Sequence, residues 1–257
     1  MGRPAKLELF ALPGLPLVQP GDDLSRLIAE AAERGGCPVR RGDVLVVAQK
    51  IVSKAENRYV DLACVRPSQR ALALAAEIQK DPRLVEVILS ESVRVVRKRP
   101  GLLIVEHRLG FVMANAGVDR SNVGPQDHGE RVLLLPRDPD ASAETLRERL
   151  AARFGVRIAV VIADSFGRPW RRGTVGTAIG AAGLPALTDC RGRPDLFGRR
   201  LEVTMVGLAD EVAAAASLLM GQADEAQPAV ILRGLSWSAA PTPAAALVRS
   251  AEEDLFR

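Results

Sequence analysis

The strongest constraint on the fold is a very apolar strand, Arg157–Ala163 (RIAVVIA), that stops on a carboxylate and a hydroxyl, Asp164-Ser165. The segments around it alternate in type without a βαβ rhythm. A helix is predicted over 22–34. Asp22 or Asp23 caps it, Leu24, Leu27, Ile28, Ala31 and Ala32 share one face, and Gly35-Gly36 stops it. A strand, Val44–Ala48, precedes the polar stretch QKIVSKAENR. Ser68 caps a second helix that runs to about Lys80, where Asp81-Pro82 breaks it. Val93–Arg97 and Leu102–Glu106 flank Arg99-Pro100-Gly101 as a hairpin, and strands Phe111–Ala114 and Arg131–Leu135 follow. PRDPDAS, residues 136–142, reads as a linker by composition. Ser142 then caps a helix with Leu146, Leu150 and Phe154 on one stripe. Further on come a strand at Leu201–Val206, a helix at Ala209–Met220 ended by Gly221, a strand at Val230–Leu232 and a helical tail after Pro243. Hairpins mixed with helices predict an α+β fold.

Composition excludes several function classes. Aromatic residues make up 4% of the 257-residue chain, with one Tyr, so stacking platforms for single-stranded nucleic acid are scarce. Three cysteines, Cys37, Cys64 and Cys190, are odd in number and far apart, which suits a reducing compartment. Two histidines, His107 and His128, and no C-x-x-C leave little for zinc, so a metal here is a hard ion held by oxygen. Neither histidine sits in a triad-like arrangement, and both read as solvated or structural. No secretory signal and no apolar run of membrane-spanning length is present, so a cytoplasmic location is expected.

Five segments carry candidate chemistry. Asp164-Ser165 ends the apolar strand, where a carboxylate can hold Mg²⁺ or Mn²⁺ beside a phosphate; the alternative is a simple Asx-turn. Asn115–Asn122 follows a strand and offers Asp119 and Asn122 three residues apart, or is a solvated loop. FGRPWRRGTVGTAIGAAG sets Arg168, Arg171 and Arg172 around Trp170 before Gly173, Gly176, Gly180 and Gly183. Those groups suit anions, or the glycines merely allow close packing. Lys54 follows another strand and can neutralise phosphate, or is solvated. Gln222, at a helix end, offers an amide oxygen or is only an exposed terminus. No P-loop and no G-x-G-x-x-G is present. Between Ser165 and Arg200 seven arginines face two acids, so the net +4 of the chain is concentrated there, beside the candidate metal ligand Asp164.

In this order the chain carries LPGLPLVQPGDDL, GDVLVVAQKIVSKAENR, GFVMANAGVDRSNVG, VVIADSFGRPWRRGTVGTAIG and LLMGQADEAQP. Over about residues 10–240 it resembles the coenzyme F420-0:L-glutamate ligase family, also called F420 gamma-glutamyl ligase, in the form without a fused flavin-reductase-like domain. The resemblance implies two mixed α/β subdomains with largely antiparallel sheets, joined near 136–142 within a single ligase domain, and an intertwined homodimer. It implies a GTP-dependent ligase using Mn²⁺ or Mg²⁺, with K⁺ as a further cofactor, that adds L-glutamate to the carboxylate of F420-0 and further γ-linked glutamates. Carried over by position, Asp119, Asp164, Ser165 and Gln222 are the metal ligands. Leu15, Pro16, Leu17, Val18, Gln49, Lys50, Lys54, Asn122 and the loop Met220, Gly221, Gln222, Ala223, Asp224, Glu225, Ala226, Gln227 contact the nucleotide. Ser165 stands where Thr is expected, Asn57 where Gly is usual, and Gln49-Lys50 where a small hydroxyl pair can occur.

The chemistry is consistent with these residues. A carboxylate becomes an acyl donor once a γ-phosphoryl group is transferred to it. Metal and cations must then offset the phosphate charge. Lys54, Arg168 and Arg171 are the candidate catalytic cations, holding phosphates or an acidic substrate. The alternatives are a related GTP-dependent ligase with another acid acceptor, and an Arg-rich nucleic-acid binder with steep salt dependence.

Overall fold

The computed structural model describes residues 5–124, 130–250 and 252–255. In chain order the elements are β1 (Glu8–Ala11), α1 (Leu24–Arg34), β2 (Val44–Ala48), α2 (Gln49–Ala55), β3 (Tyr59–Asp61), α3 (Gln69–Ile78), α4 (Pro82–Ser90), β4 (Ser92–Arg99), β5 (Leu102–His107), β6 (Val112–Ala114), β7 (Arg131–Leu133), α5 (Pro139–Phe154), β8 (Ala159–Arg168), β9 (Arg171–Ala182), β10 (Thr188–Asp189), β11 (Met205–Val206), α6 (Leu208–Met220) and β12 (Ala229–Arg233).

Strands β1, β12, β2, β8 and β9 form the main sheet in that order, and only β2 and β8 run parallel. The α+β expectation with mostly antiparallel pairing therefore holds. Both faces of this sheet are covered, which is why β2 and β8 are apolar without alternation. Leu45, Val47, Val160 and Ile162 pack with α1 and α5 on one face. Val44, Val46, Val161 and Ala163 pack with α6 on the other. A separate core gathers Ile78 of α3, Val85 and Ile88 of α4, Leu103 and Val105 of β5, and Val132 of β7.

Several boundaries differ from the sequence reading, each for a local reason. The polar stretch after β2 is a helix, α2, entered from Ala48 with no side-chain cap. Asp81-Pro82 ends α3 and also starts α4, because Asp81 accepts the Arg83 N–H at 2.8 Å and Pro82 occupies the first turn. The same pair recurs at Asp138-Pro139. There Asp138, not Ser142, caps α5 by accepting the Ala141 N–H at 3.0 Å. Strand β8 does not stop at Ala163; it continues to Arg168 and turns into β9, so Asp164 and Ser165 lie within a hairpin. Only Met205–Val206 of the expected strand at 201–206 is formed.

The tail is not an α-helix but a short 3₁₀ turn, Ala244–Leu247. Its free N–H groups go instead to Asp140 in the first turn of α5, from Ala244 at 2.7 Å and Ala245 at 3.2 Å. Asp140 also accepts the Ala181 N–H of β9 at 2.8 Å. The glycines of β9 serve packing: a Cβ at Gly176 would overlap the Ala213 carbonyl of α6, and one at Gly180 the Pro139 carbonyl of α5.

Candidate active site

The site grows from the parallel strand pair. Ala48 of β2 lies in register with Ala163 of β8, so Gln49, where β2 ends, stands beside Asp164, which β8 carries on into the hairpin with β9. Carboxyl ends of adjacent parallel strands are where α/β sheets commonly place ligands. Alternation along β8 puts Asp164 on the same face as Ile162 and Phe166. Ser165 pairs with Gly176 and faces α6 instead.

The third contributor is the segment after β6. Asn115, Ala116 and Gly117 all have φ near +50 to +64°, and Asn122 has φ of 56°. The buried Ala116 is the costly one, because an alanine there has a Cβ and no compensating side-chain bond. Close quarters explain the turn: a Cβ on Gly117 would stand 2.8 Å from Met113 and 2.9 Å from Leu135. The turn delivers Asp119, whose backbone exchanges two 2.9 Å hydrogen bonds with Leu133.

Asp119 accepts a 2.6 Å hydrogen bond from Gln49 Nε2 and stands 3.3 Å from Lys50 Nζ. Gln49 is itself buried and held by Ser53, which donates to its Oε1 at 3.0 Å. Lys50 also donates to Ser121 Oγ at 3.2 Å. Asn122 donates at 3.0 Å to the Ala223 carbonyl, which ties this segment to the loop after α6. In that loop Glu225 accepts the Ala223 N–H at 2.8 Å, and such backbone donors hold its carboxyl below the usual range.

The electrostatics single out two carboxylates. Burial raises the Asp119 carboxyl, although Lys50, Gln49 and Lys54 oppose it. Burial, and then the charge of Asp119, push Asp164 up to about 7, against its hydrogen bond from the Ser165 N–H. Burial and the neighbouring Lys50 pull Lys54 below the ordinary lysine range, while Asp119 opposes the shift. Two partly buried carboxylates, one raising the proton affinity of the other, form a natural seat for a hard cation. Among the described residues no cluster of three or more His, Cys, Asp or Glu is suited to a metal. A cation here would therefore fill its shell with water, amide or hydroxyl oxygens and phosphate, as Mg²⁺ commonly does.

The structure thus brings Gln49, Lys50, Lys54, Asp119, Asn122, Asp164 and the loop at Ala223 together. Leu15, Pro16, Leu17 and Val18 sit by the other end of α2, where Gly21 N–H bonds the Ala55 carbonyl and Val18 joins the core. Arg168 and Arg171 pair across the β8–β9 turn, four residues beyond Asp164 on β8. The seven arginines do not make one patch. Strand β9 carries the chain back along the sheet, so Arg191, Arg193, Arg199 and Arg200 lie beyond its far end. Ser121 was not singled out from sequence, although it lies inside the 115–122 motif. His107 is fully buried and structural, with Nδ1 accepting the Leu109 N–H at 3.0 Å. His128 lies outside the described residues.

Comparison with known proteins fits this geometry. A family model described as F420-0:Gamma-glutamyl ligase matches residues 14–234. The chain is 49% identical, over the full length of both, to the coenzyme F420:L-glutamate ligase of Methanopyrus kandleri. It is 47% identical to that of Methanothermobacter thermautotrophicus, covering 98% of this chain and 99% of the relative. It is 41% identical to that of Methanocaldococcus jannaschii, covering 98% and 97%.

Proposed function

Because the chain belongs to the F420-0:gamma-glutamyl ligase family, we propose that the Asp119–Asp164 site performs a GTP- and metal-dependent condensation. The protein is an amide-bond-forming ligase of coenzyme F420 biosynthesis that acts on glutamate. In this reading the acceptor is F420-0, the donor is L-glutamate, and further γ-linked glutamates follow. The cofactors are GTP, Mn²⁺ or Mg²⁺, and K⁺.

A carboxylate does not acylate an amine directly, since oxide is too poor a leaving group. Transfer of the γ-phosphoryl group from GTP to the acceptor carboxylate releases GDP and forms an acyl phosphate. The glutamate amine then attacks the acyl carbon, phosphate leaves, and a proton is lost as the amide forms. Asp119 and Asp164, with Ser165 and Gln222, would hold the divalent cation, which supplies charge neutralisation on the phosphates. Gln49 and Lys50 orient Asp119. Lys50 and Lys54 would offer cations to the triphosphate, and a bound anion would offset the depressed proton affinity of Lys54. Asn122 holds the 220–227 loop to the site. Leu15–Val18, by the far end of α2, would contact the nucleotide, and Arg168 and Arg171 would serve the acidic substrates.

The observation that carries this reading is the meeting of two partly buried carboxylates, Asp119 from the segment after β6 and Asp164 from β8, with the charge of Asp119 acting on Asp164. Asp164→Asn is expected to lower GTP turnover and product formation by roughly 10²–10³-fold, with an unchanged melting temperature. Mass spectrometry of the products from F420-0, GTP and glutamate reads the outcome. Full activity in the variant would reduce Asp164 to a strand residue and remove the proposal.

The homodimer belongs to the same reading. It is supported by the arm between β10 and β11, whose tip leaves Leu196 and Phe197 96% and 94% exposed. The division into two subdomains is supported by the separate core around α3, α4 and β5.

A further inference from the structure

Five arginines among the described residues are not fully exposed: Arg58, Arg83, Arg147, Arg168 and Arg233. Four of them pair with a carboxylate. Arg58 lies 3.0 Å from Glu91, Arg83 2.7 Å from Asp81, Arg233 2.7 Å from Asp43, and Arg147 pairs with Glu144. Arg168 alone has no such partner, and its Nη1 is buried with no hydrogen-bond acceptor. Guanidinium stays charged at any ordinary pH, so it cannot escape this cost by losing a proton. A buried donor left unmade costs about 1–3 kcal/mol, more when it is charged. The fold keeps that cost on the strand that also carries Asp164.

We infer that Arg168 is the receptor for an oxyanion of the acidic substrates, a carboxylate or phosphodiester, and not for the nucleotide phosphates. The inference rests on the ligase reading above and deepens it. Two placements separate Arg168 from the nucleotide side. It lies four residues past Asp164, roughly 13 Å along β8, whereas Lys50, Lys54 and Asn122 gather around Asp119. The cross-strand neighbour of Arg168 is Arg171, not a residue of the Asp119 cluster. The turn beyond it, where Trp170 has φ of 59°, sets Arg171 opposite Arg168. Phe166, two residues before, packs edge-on to Phe111 at 5.8 Å between ring centres, which fixes the strand that presents the guanidinium. Glutamate keeps its carboxylates while its amine reacts, so it needs a fixed cation while that amine enters the site.

Arg168→Met and Arg168→Lys in the full chain test this, with GTP, F420-0 and glutamate each varied in turn. Arg168→Met is expected to raise KM for one acidic substrate about 10- to 100-fold, with Arg168→Lys in between and KM for GTP within about twofold of wild type. A rise for glutamate assigns the donor carboxylate, and a rise for F420-0 the acceptor. Unchanged KM for both substrates, or an equal rise for GTP, overturns the inference. So does a lowered melting temperature in Arg168→Met with both KM values unchanged, which marks a structural role. Calorimetric binding of each substrate without nucleotide reads the same contrast without turnover. A wild type that binds through Arg168 yet makes no amide would sink the ligase reading alone.

Discussion

At the residue scale the best-defined polar group outside the site is Glu91. It lies 3.0 Å from both Arg58 Nη2 and Arg108 Nε, and 3.4 Å from His107 Nε2. The His107 contact lacks hydrogen-bond alignment. Burial alone would raise the Glu91 carboxyl, but His107, Arg58 and Arg108 outweigh it and hold it near 2. A carboxyl depressed from about 4.5 to about 2 stabilises the fold fully above pH ~4.5, by about 3 kcal/mol. That contribution is lost as pH falls from ~4.5 through ~2. Glu91→Gln is therefore expected to lower stability at pH 7 by roughly that amount and to flatten the acid limb of the stability curve. Urea titrations across pH 2–7 measure it, and parallel curves for both proteins would refute it. Residue-level chemistry was partly legible in the sequence. Asp119, Asp164, Lys54 and Asn122 stood out because each follows a strand. Glu91 and the buried His107 did not, since the group is assembled from the α2–β3 connection, the end of α4, and β5 with the turn after it, which share no local spacing.

At the element scale, Asp-Pro is the instructive signal. Proline stops a helix when read from its N-terminal side, and begins one when an acceptor precedes it. Both Asp81-Pro82 and Asp138-Pro139 do the second, which the sequence reading took as a break and a linker. Strands β2 and β12 were legible because burial on both faces writes a continuous apolar run. The extension of β8 through Asp164–Arg168 was not, because polar residues at a hairpin end look like a loop. The tail looked helical from its alanines, yet Asp140 captures the N–H groups a helix would have used. Asp140→Ala removes an acceptor from three backbone N–H groups on two segments, β9 and the 3₁₀ turn. It is expected to cost about 2–4 kcal/mol and to release the tail to proteolysis before the rest of the chain. Limited digestion followed by mass spectrometry reads this, and an unaltered cleavage order would count against it.

At the scale of the whole molecule, the sheet separates two tasks. The ends of β2 and β8 carry the candidate chemistry, while the β10–β11 arm beyond the far end of β9 exposes Leu196 and Phe197. Two large apolar side chains at the tip of a projecting arm need a cover, and a second copy of the chain is the cover proposed above. Leu196→Glu with Phe197→Glu is expected to shift sedimentation from dimer to monomer. A wild type that sediments as a monomer at micromolar concentration would exclude that cover. No helix of the described residues is long and apolar enough to cross a membrane.

The parallel pairing of β2 with β8 also governs the order in which the molecule can come into being. Strand β2 sits at the middle of the main sheet, yet both of its neighbours are translated much later, β8 after residue 158 and β12 after residue 228. Until then its two hydrogen-bonding edges have nothing native to meet. Such late, long-range closure makes for slow folding and leaves sticky edges exposed meanwhile. The candidate pair inherits the delay, since Asp164 cannot approach Asp119 before β8 has been made and has paired with β2. A ribosome-bound fragment that ends within α5 would carry Asp119, Gln49 and Lys50 but no site.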